Sequence, residues 1–173
     1  EHAGGLTAHL PFFRDHRGRG EFQHTICTLP LEYPPRSQSL YSDLGFVLLA
    51  FLLADAAAGT GIPIDDQFDQ LARRLDLGDL RFRPPAAWRP RTAPTEVDLW
   101  RGRLLRGEVH DENGWALGGV AGHTGLFGTA PAVGRFARAL LETLHGSGRL
   151  ANPATLTRFL QPSTVPGSSR ALG

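Results

Sequence analysis

The sequence contains no lysine and no methionine, and it has only one cysteine among 173 residues. Because all eighteen basic residues are arginine, this chain alone cannot provide a Schiff-base lysine, a lysine general base or a Ser-Lys catalytic pair. The single cysteine, Cys27, excludes an internal disulfide, and its apolar neighbours predict a buried structural thiol. The pattern G-x-S-x-G is also absent, which excludes the nucleophile turn of the α/β-hydrolases.

Strong charge and long apolar runs are missing too. The formal net charge is +1, and no run of like charges is long enough to predict a nucleic-acid partner or an acidic-membrane partner. The uncharged stretch Leu44–Ala54 is too short for a membrane span of about 20 residues. With 41% hydrophobic and 20% charged residues, the composition predicts one globular domain. The chain begins at Glu1 without a visible leader, and we expect an excised piece of a longer protein.

The clearest secondary-structure signals are helical. The apolar stretch Leu44–Ala54 predicts a helix buried on all sides, capped by Ser42 or Asp43 and closed by Gly59. Residues 64–75 predict an amphipathic helix, because its apolar residues recur at helical spacing on one face. That face is formed by Phe68, Leu71, Ala72 and Leu75.

Two further helices are predicted in the second half of the chain. Thr129 caps one that ends before Gly146, and Asn152 precedes a short one. The apolar stripe of the longer helix is formed by Val133, Phe136, Ala137, Leu140, Leu141 and Leu144. Residues 1–40, rich in Gly, Pro and His, predict loops with short extended pieces. Residues 79–107 predict a long irregular connection, and residues 163–173 a loop.

The segment Tyr41-Ser42-Asp43 carries the first candidate chemistry. A Tyr fixed just before a buried helix can pass protons when it lies beside a Lys. The alternative is a boundary Tyr whose hydroxyl bonds to backbone, followed by a helix cap. These three residues by themselves favour the alternative.

A second candidate is the segment 107–113, which places His110 beside Asp111 and near Asn113. It fits an acid-base or binding cluster, and it fits equally a polar turn in which Asp111 and Asn113 bond their own backbone. Residues 118–127 contain four glycines within eight positions and favour a tight backbone crossing over a phosphate cradle. The four early histidines favour scattered surface imidazoles over a zinc site; they are His2, His9, His16 and His24.

Five segments then form an ordered series: residues 1–6 (EHAGGL), 41–46 (YSDLGF), 93–96 (APTE), 107–113 (GEVHDEN) and 118–130 followed by Arg135 and Phe136. The first resembles the His-Thr-Ser-Gly-Leu segment of the serine β-lactamases and penicillin-binding proteins. The second resembles the family's Tyr-x-Asn motif with its following helix, and the others resemble successive downstream stretches. The likeness is closest to the class C β-lactamase-like branch, which includes penicillin-binding-protein-4B-type hydrolases and esterases.

This resemblance implies where the catalytic groups lie. In the family a Ser attacks an acyl carbonyl and a Lys one helical turn later, in S-x-x-K, activates it; a Lys/His-Ser/Thr-Gly strand lines the other wall. Here S-x-x-K is expected before Glu1 and the strand after Gly173. The segment His123-Thr124-Gly125 resembles a mid-chain Gly-rich stretch of the family instead.

Tyr41 is therefore the one member of the catalytic set that the resemblance places in this chain. Asp43, His110, Asp111 and Asn113 are implied as substrate-binding or cleft-lining residues. Asp43 stands where β-lactamases usually have Asn, and an ionised Asp cannot donate to a substrate carbonyl. We therefore expect ester or peptide-like substrates to be favoured over β-lactams.

The implied fold is α+β, a β-lactamase-like fold that is incomplete: mainly its helical region with little of the antiparallel sheet. Residues 1–173 would be part of a single β-lactamase-related domain, truncated at both ends. The implied function is that of a fragment of a serine hydrolase, forming an acyl-enzyme on D-Ala-D-Ala peptide, β-lactam or ester substrates. The isolated chain is expected to be inactive. No metal or organic cofactor is implied, and the oligomeric state stays open.

Two other functional classes remain open from the sequence. One is a non-catalytic relative that binds cell-wall peptides or a protein, and the other is a structural domain whose motifs serve packing. The resemblance favours a periplasmic, secreted or membrane-anchored protein.

Overall fold

The computed structural model describes residues 2–57 and 61–171. Within them, helices alternate with short strands in no simple repeat. The helices are α1 (Gly18–Thr28), α2 (Asp43–Ala56), α3 (Ile64–Arg74), α4 (Glu112–Ala116), α5 (Ala130–Leu144) and α6 (Pro153–Phe159). The strands are β1 (Leu80–Phe82), β2 (Pro94–Asp98), β3 (Arg103–Arg106) and β4 (Leu126–Gly128).

Helix α2 begins where the sequence predicts. Ser42 is its N-cap, and its hydroxyl accepts a hydrogen bond of 3.3 Å from the Gly45 N–H, which satisfies one of the free donors of the first turn. The predicted closing residue, Gly59, lies outside the described residues. The prediction of burial on all sides is wrong, because Leu52 is 64% exposed and Leu49 and Leu53 are also exposed.

The inner face of α2 contributes to the first hydrophobic core. Leu44 and Val47 are buried there against α1, α4 and a 3₁₀ turn at Phe12–Arg14. The buried members are Phe12, Phe13, Phe22, Ile26, Leu44, Val47 and Ala116. This core fixes the start of α2 relative to the first forty residues and to α4.

Helix α1 corrects the prediction of loops over residues 1–40. Its sequence signal is weak, because Gly18 and Gly20 are poor helix formers and only Phe22 and Ile26 are buried. These two residues lie one turn apart and pack into the first core. Cys27 follows Ile26, points away from that face and is exposed. The prediction of a buried thiol is therefore wrong.

The predicted irregular connection over residues 79–107 is also wrong in part. Strands β2 and β3 pair antiparallel with an irregularity between Pro94 and Val97. Strand β1 pairs instead with the distant β4, with Leu80 opposite Gly128. At the β2–β3 turn, Arg101 forms a buried ion pair with Asp98 and donates hydrogen bonds to the carbonyls of Val109 and His110. The turn thereby positions the chain just before α4.

A second core lies between α3, β1 and α5. Its buried members are Ala72, Leu77, Leu80 and Ala132, with Phe68, Leu75 and Phe136 packed against them. Helices α3, α5 and α6 begin where predicted, and α5 is capped by Thr129. Its buried face differs from the predicted stripe: Ala139 and Thr143 are buried, whereas Val133 and Leu141 are exposed.

These elements confirm an α+β chain dominated by helices, with two small antiparallel sheets among the described residues. No helix in residues 2–57 and 61–171 has both the length and the apolar character needed to cross a membrane.

Candidate active site

Tyr41 stands immediately before α2 on a firmly held segment. The Ser42 hydroxyl caps the helix and donates a hydrogen bond of 2.8 Å to the Thr7 carbonyl. The Asp43 N–H donates one of 3.0 Å to the Ala8 carbonyl. These bonds tie the residues on the C-terminal side of Tyr41 to the loop at 7–8, while the Tyr41 side chain is 54% exposed. The geometry thus presents a solvent-accessible phenol from a fixed backbone.

Two other side chains contact Tyr41. The ring centroids of His2 and Tyr41 are 4.3 Å apart, and the Arg170 guanidinium carbon lies 5.4 Å from the centroid of the Tyr41 ring. The contact between Arg170 and the Tyr41 ring is a cation–π contact. Tyr41 is therefore held between the chain's first residues and its last described segment.

His2 is an acceptor in this arrangement. Its Nδ1 accepts a hydrogen bond of 3.0 Å from the Ser42 N–H. Burial lowers the pKa of His2 below its ordinary value, and the positive charge of Arg170 lowers it further. Both effects favour the neutral ring that this bond requires. Sequence reasoning assigned no role to His2 or Arg170; the only signal was the place of His2 in a family-like segment.

A cavity of about 250 Å³ lies beside this group. Its walls are largely apolar and include Leu6, Phe46, Leu48 and Leu52. His2 and Ser42 supply polar groups to the lining. Tyr41 does not line the cavity but contacts His2, which does. The cavity therefore adjoins the Tyr41 segment and fits an apolar moiety.

Asp43, Asp111 and His123 come together from three distant parts of the chain. The His123 Nε2 lies 3.2 Å from Asp111 Oδ1, and one possible ligand atom from each residue lies within 4.8 Å of the others. Asp111 also caps α4 by accepting a hydrogen bond of 2.6 Å from the Gly114 N–H. Sequence reasoning named the two Asp residues but treated His123 only as part of a glycine-rich crossing.

The hydrogen bonds from His123 and from the Gly114 N–H favour the ionised form of Asp111. Burial by itself raises the pKa of Asp111, but the hydrogen bonds from His123 and from the Gly114 N–H outweigh burial and hold this pKa below its ordinary value. His9 adds a smaller effect in the same direction. Asp111 is therefore an ionised carboxylate at neutral pH.

His110 and Asn113 lie elsewhere. His110 is exposed, and its Nε2 is 2.8 Å from Glu96 Oε1. Asn113 is 1% exposed; its side chain accepts from the Phe13 N–H and donates to the Leu10 carbonyl. This geometry gives Asn113 a structural role, and its predicted cleft-lining role stays a prediction. The predicted segment 107–113 is thus divided among a surface pair, a helix cap and a buried anchor.

The glycine-rich segment confirms the prediction of a tight crossing. A Cβ on Gly122 would overlap the Phe46 carbonyl of α2, and one on Gly125 would overlap the Gly119 carbonyl. Gly125 also has a φ of +113°, which side-chain-bearing residues rarely adopt. Only glycine permits this approach, which brings His123 to the start of α2.

Comparisons with known proteins give consistent results. The family model described as Beta-lactamase matches residues 1–173. A protein of Escherichia coli K12 named "Putative D-alanyl-D-alanine carboxypeptidase" is 32% identical over 84% of this chain and 36% of its own length. Its namesake in Salmonella gallinarum is 30% identical over 78% of this chain and 34% of its own.

The fold is shared with solved structures as well. The Beta-Lactamase/D-Alanine Carboxypeptidase from Pseudomonas syringae aligns with a TM-score of 0.66 at 18% identity, covering 93% of this chain and 41% of that one. At this identity the likeness concerns the fold alone. The chain spans about a third of the length of the two curated relatives.

Proposed function

Since the chain belongs to the Beta-lactamase family, we propose that it is the tyrosine-bearing helical part of a serine hydrolase that works through an acyl-enzyme. The observation that carries this proposal is the placement of Tyr41. Its ring is exposed, anchored through the capped start of α2 and contacted by His2 and Arg170. A family Tyr that shares proton transfer needs this combination of access and fixed backbone.

The other groups of the reaction would come from outside residues 1–173. The chain has no Lys, so the Ser-Lys pair that forms and activates the nucleophile in the family cannot be completed within it. In the proposed reaction the serine oxygen attacks the acyl carbonyl, the leaving group departs with a proton, and water then cleaves the serine ester. Tyr41 takes part in moving that proton.

The proposed substrates are D-Ala-D-Ala peptides and related esters. The names of the curated relatives point to the peptide, and the apolar cavity beside His2 fits an uncharged part of such a substrate. Asp43 stands where an amide would otherwise donate to a substrate carbonyl, which favours these substrates over β-lactams. A cell-wall peptide substrate also favours a periplasmic, secreted or membrane-anchored protein.

The decisive experiment replaces the phenol hydroxyl alone. In a longer protein that contains this chain and a Ser-Lys pair, Tyr41→Phe should lower turnover by about 10²–10⁴-fold, the usual contribution of positioned proton transfer. Tyr33→Phe is the matched control, because Tyr33 is the only other tyrosine and is buried. Wild-type turnover in Tyr41→Phe on both peptide and ester substrates would overturn the role given to Tyr41.

The isolated chain provides a second test. It should neither hydrolyse a chromogenic ester nor become labelled by a fluorescent penicillin, because it lacks the Ser-Lys pair. Heat-labile turnover by the purified 173-residue chain would show that a different nucleophile operates within it.

A further inference from the structure

Asp43, Asp111 and His123 form a cluster in which the proposed acyl chemistry gives a role to Asp43 alone. A carboxylate oxygen of each Asp and a ring nitrogen of His123 lie within 4.8 Å of one another. Across residues 2–57 and 61–171 this is the one group of three potential metal ligands so close together. We propose that the cluster binds a divalent transition-metal ion of the zinc type, although the family resemblance implies no metal.

The distance between two of the ligand atoms fits a tetrahedral ion, and the third lies within 4.8 Å of both. Ligand atoms bound to zinc at about 2.0–2.1 Å lie roughly 3.3 Å from each other. His123 Nε2 and Asp111 Oδ1 are 3.2 Å apart. His9 lies outside this group, although its Nδ1 is 3.6 Å from Asp43 Oδ2. Two carboxylates and one imidazole, with water in the fourth position, form a set that zinc accepts.

The carboxylates of Asp43 and Asp111 also favour a cation. Their side chains are only 20% and 25% exposed. Each has an imidazole beside it, His9 at Asp43 and His123 at Asp111. When these rings are neutral they bring no positive charge, and a divalent ion between the two carboxylates would supply it.

His123 provides the imidazole of the cluster. Its side chain is 6% exposed, and its Nε2 is the ring nitrogen that faces Asp111. This nitrogen is therefore the one that would bind the ion, and imidazole nitrogen is the commonest protein metal ligand.

The ligands are held in place before any ion binds. Asp43 is fixed by its backbone bond to Ala8, and Asp111 by its bond from the Gly114 N–H. His123 is fixed by the close contact of Gly122 with α2. Such preorganisation lowers the cost of closing the site around an ion.

The test is a metal titration of chelator-treated protein. Calorimetry with Zn²⁺ should show saturable binding of one ion per chain, and Zn²⁺ should raise the unfolding midpoint. Co²⁺ should give the visible absorption of a tetrahedral site. His123→Gln and Asp111→Asn should each weaken Zn²⁺ binding roughly 10-fold or more. His110→Ala is the matched control, because it removes a His-carboxylate pair from the exposed surface instead.

Each other outcome overturns the proposal. Absence of saturable Zn²⁺ binding does so directly, as does affinity that survives His123→Gln or falls in His110→Ala. If His123→Gln does not fold, Asp43→Asn decides the question: it should weaken Zn²⁺ binding roughly 10-fold, and unchanged affinity overturns the site. If acid alone raises the unfolding midpoint and Zn²⁺ has no effect, the cluster holds a proton and not a metal ion.

Discussion

The side-chain oxygen of Asn113 accepts a hydrogen bond of 2.9 Å from the backbone N–H of Phe13, one hundred positions earlier in the chain. Both residues are buried. The same amide donates to the Leu10 carbonyl at 2.8 Å, so one side chain satisfies two backbone groups of the segment that leads into the first core. Asn113 thus anchors α4 to the amino-terminal segment.

Removal of this anchor should be costly. Asn113→Ala leaves the buried Phe13 N–H and the partly buried Leu10 carbonyl without these partners, and a buried unsatisfied group costs about 1–3 kcal/mol. We expect the free energy of unfolding to fall by about 2 kcal/mol or more, measured by urea denaturation. Gln161→Ala is the control, since it deletes an exposed amide. Equal effects of the two changes would contradict the anchoring role.

The Asp111–His123 pair should make stability depend on acid. The folded-state pKa of Asp111 lies below its ordinary value, so its contribution is fully present above the unfolded pKa of about 3.9 and is lost as the pH falls through the folded pKa. Asp111→Asn keeps the helix cap but loses the charge, and should cost about 1 kcal/mol at neutral pH. Urea curves recorded with a chelator should show this cost shrinking below about pH 4; a cost independent of pH would count against it.

We expect the outer face of α2 to bind hydrophobic molecules or other copies of the chain when the chain is isolated. Leu49, Leu52 and Leu53 are exposed there, and Leu49 and Leu52 also line the apolar cavity. Such patches bind hydrophobic dyes or drive self-association. Leu52→Gln should lower the dye fluorescence, whereas Leu99→Gln, at a position that is 94% exposed outside the helices, should not. A monodisperse chain with little dye binding would contradict the prediction.

Cys27 should behave as an accessible thiol. It is exposed on α1, so a thiol reagent should modify it without prior unfolding, at nearly the rate found in denaturant. Cys27→Ser should change the free energy of unfolding by no more than about 0.5 kcal/mol, as is usual for surface positions. Protection of the native thiol from the reagent would restore the original prediction of a buried residue.

The parts of the fold that sequence predicts are those with local signals. Ser42, Thr129 and Asn152 are all caps whose side chains accept hydrogen bonds from the following helix, and these residue types announce a helix start without reference to the rest of the chain. Gly122, in its glycine-rich segment, likewise indicates a close approach of two backbone segments.

The parts that sequence misses depend on distant partners. Strand β1 has three residues and pairs with β4 far along the chain, which leaves no period to detect. Helix α1 has two glycines and owes its stability to the burial of Phe22 and Ile26. The elements that pack on α5 decide which of its faces is buried. The buried face therefore differs from the apolar stripe that the sequence predicts.

The candidate site shows the same division. Tyr41 and Asp43 were named because their motif is contiguous. The contacts of His2 with Tyr41 and of Arg170 with the same ring join the two ends of the described chain. No spacing in the sequence indicates that these residues meet.

The contact of Gly122 with the Phe46 carbonyl has a consequence for the order of folding. The residues it joins are far apart in the chain, and loop-closure entropy must be overcome before such contacts can stabilise anything. Helix α2 can form early from its own apolar residues and its cap, but Asp43 meets His123 only after the glycine segment has docked on it. The Asp43–Asp111–His123 cluster should therefore form late in folding, and its formation would report that the chain has folded completely.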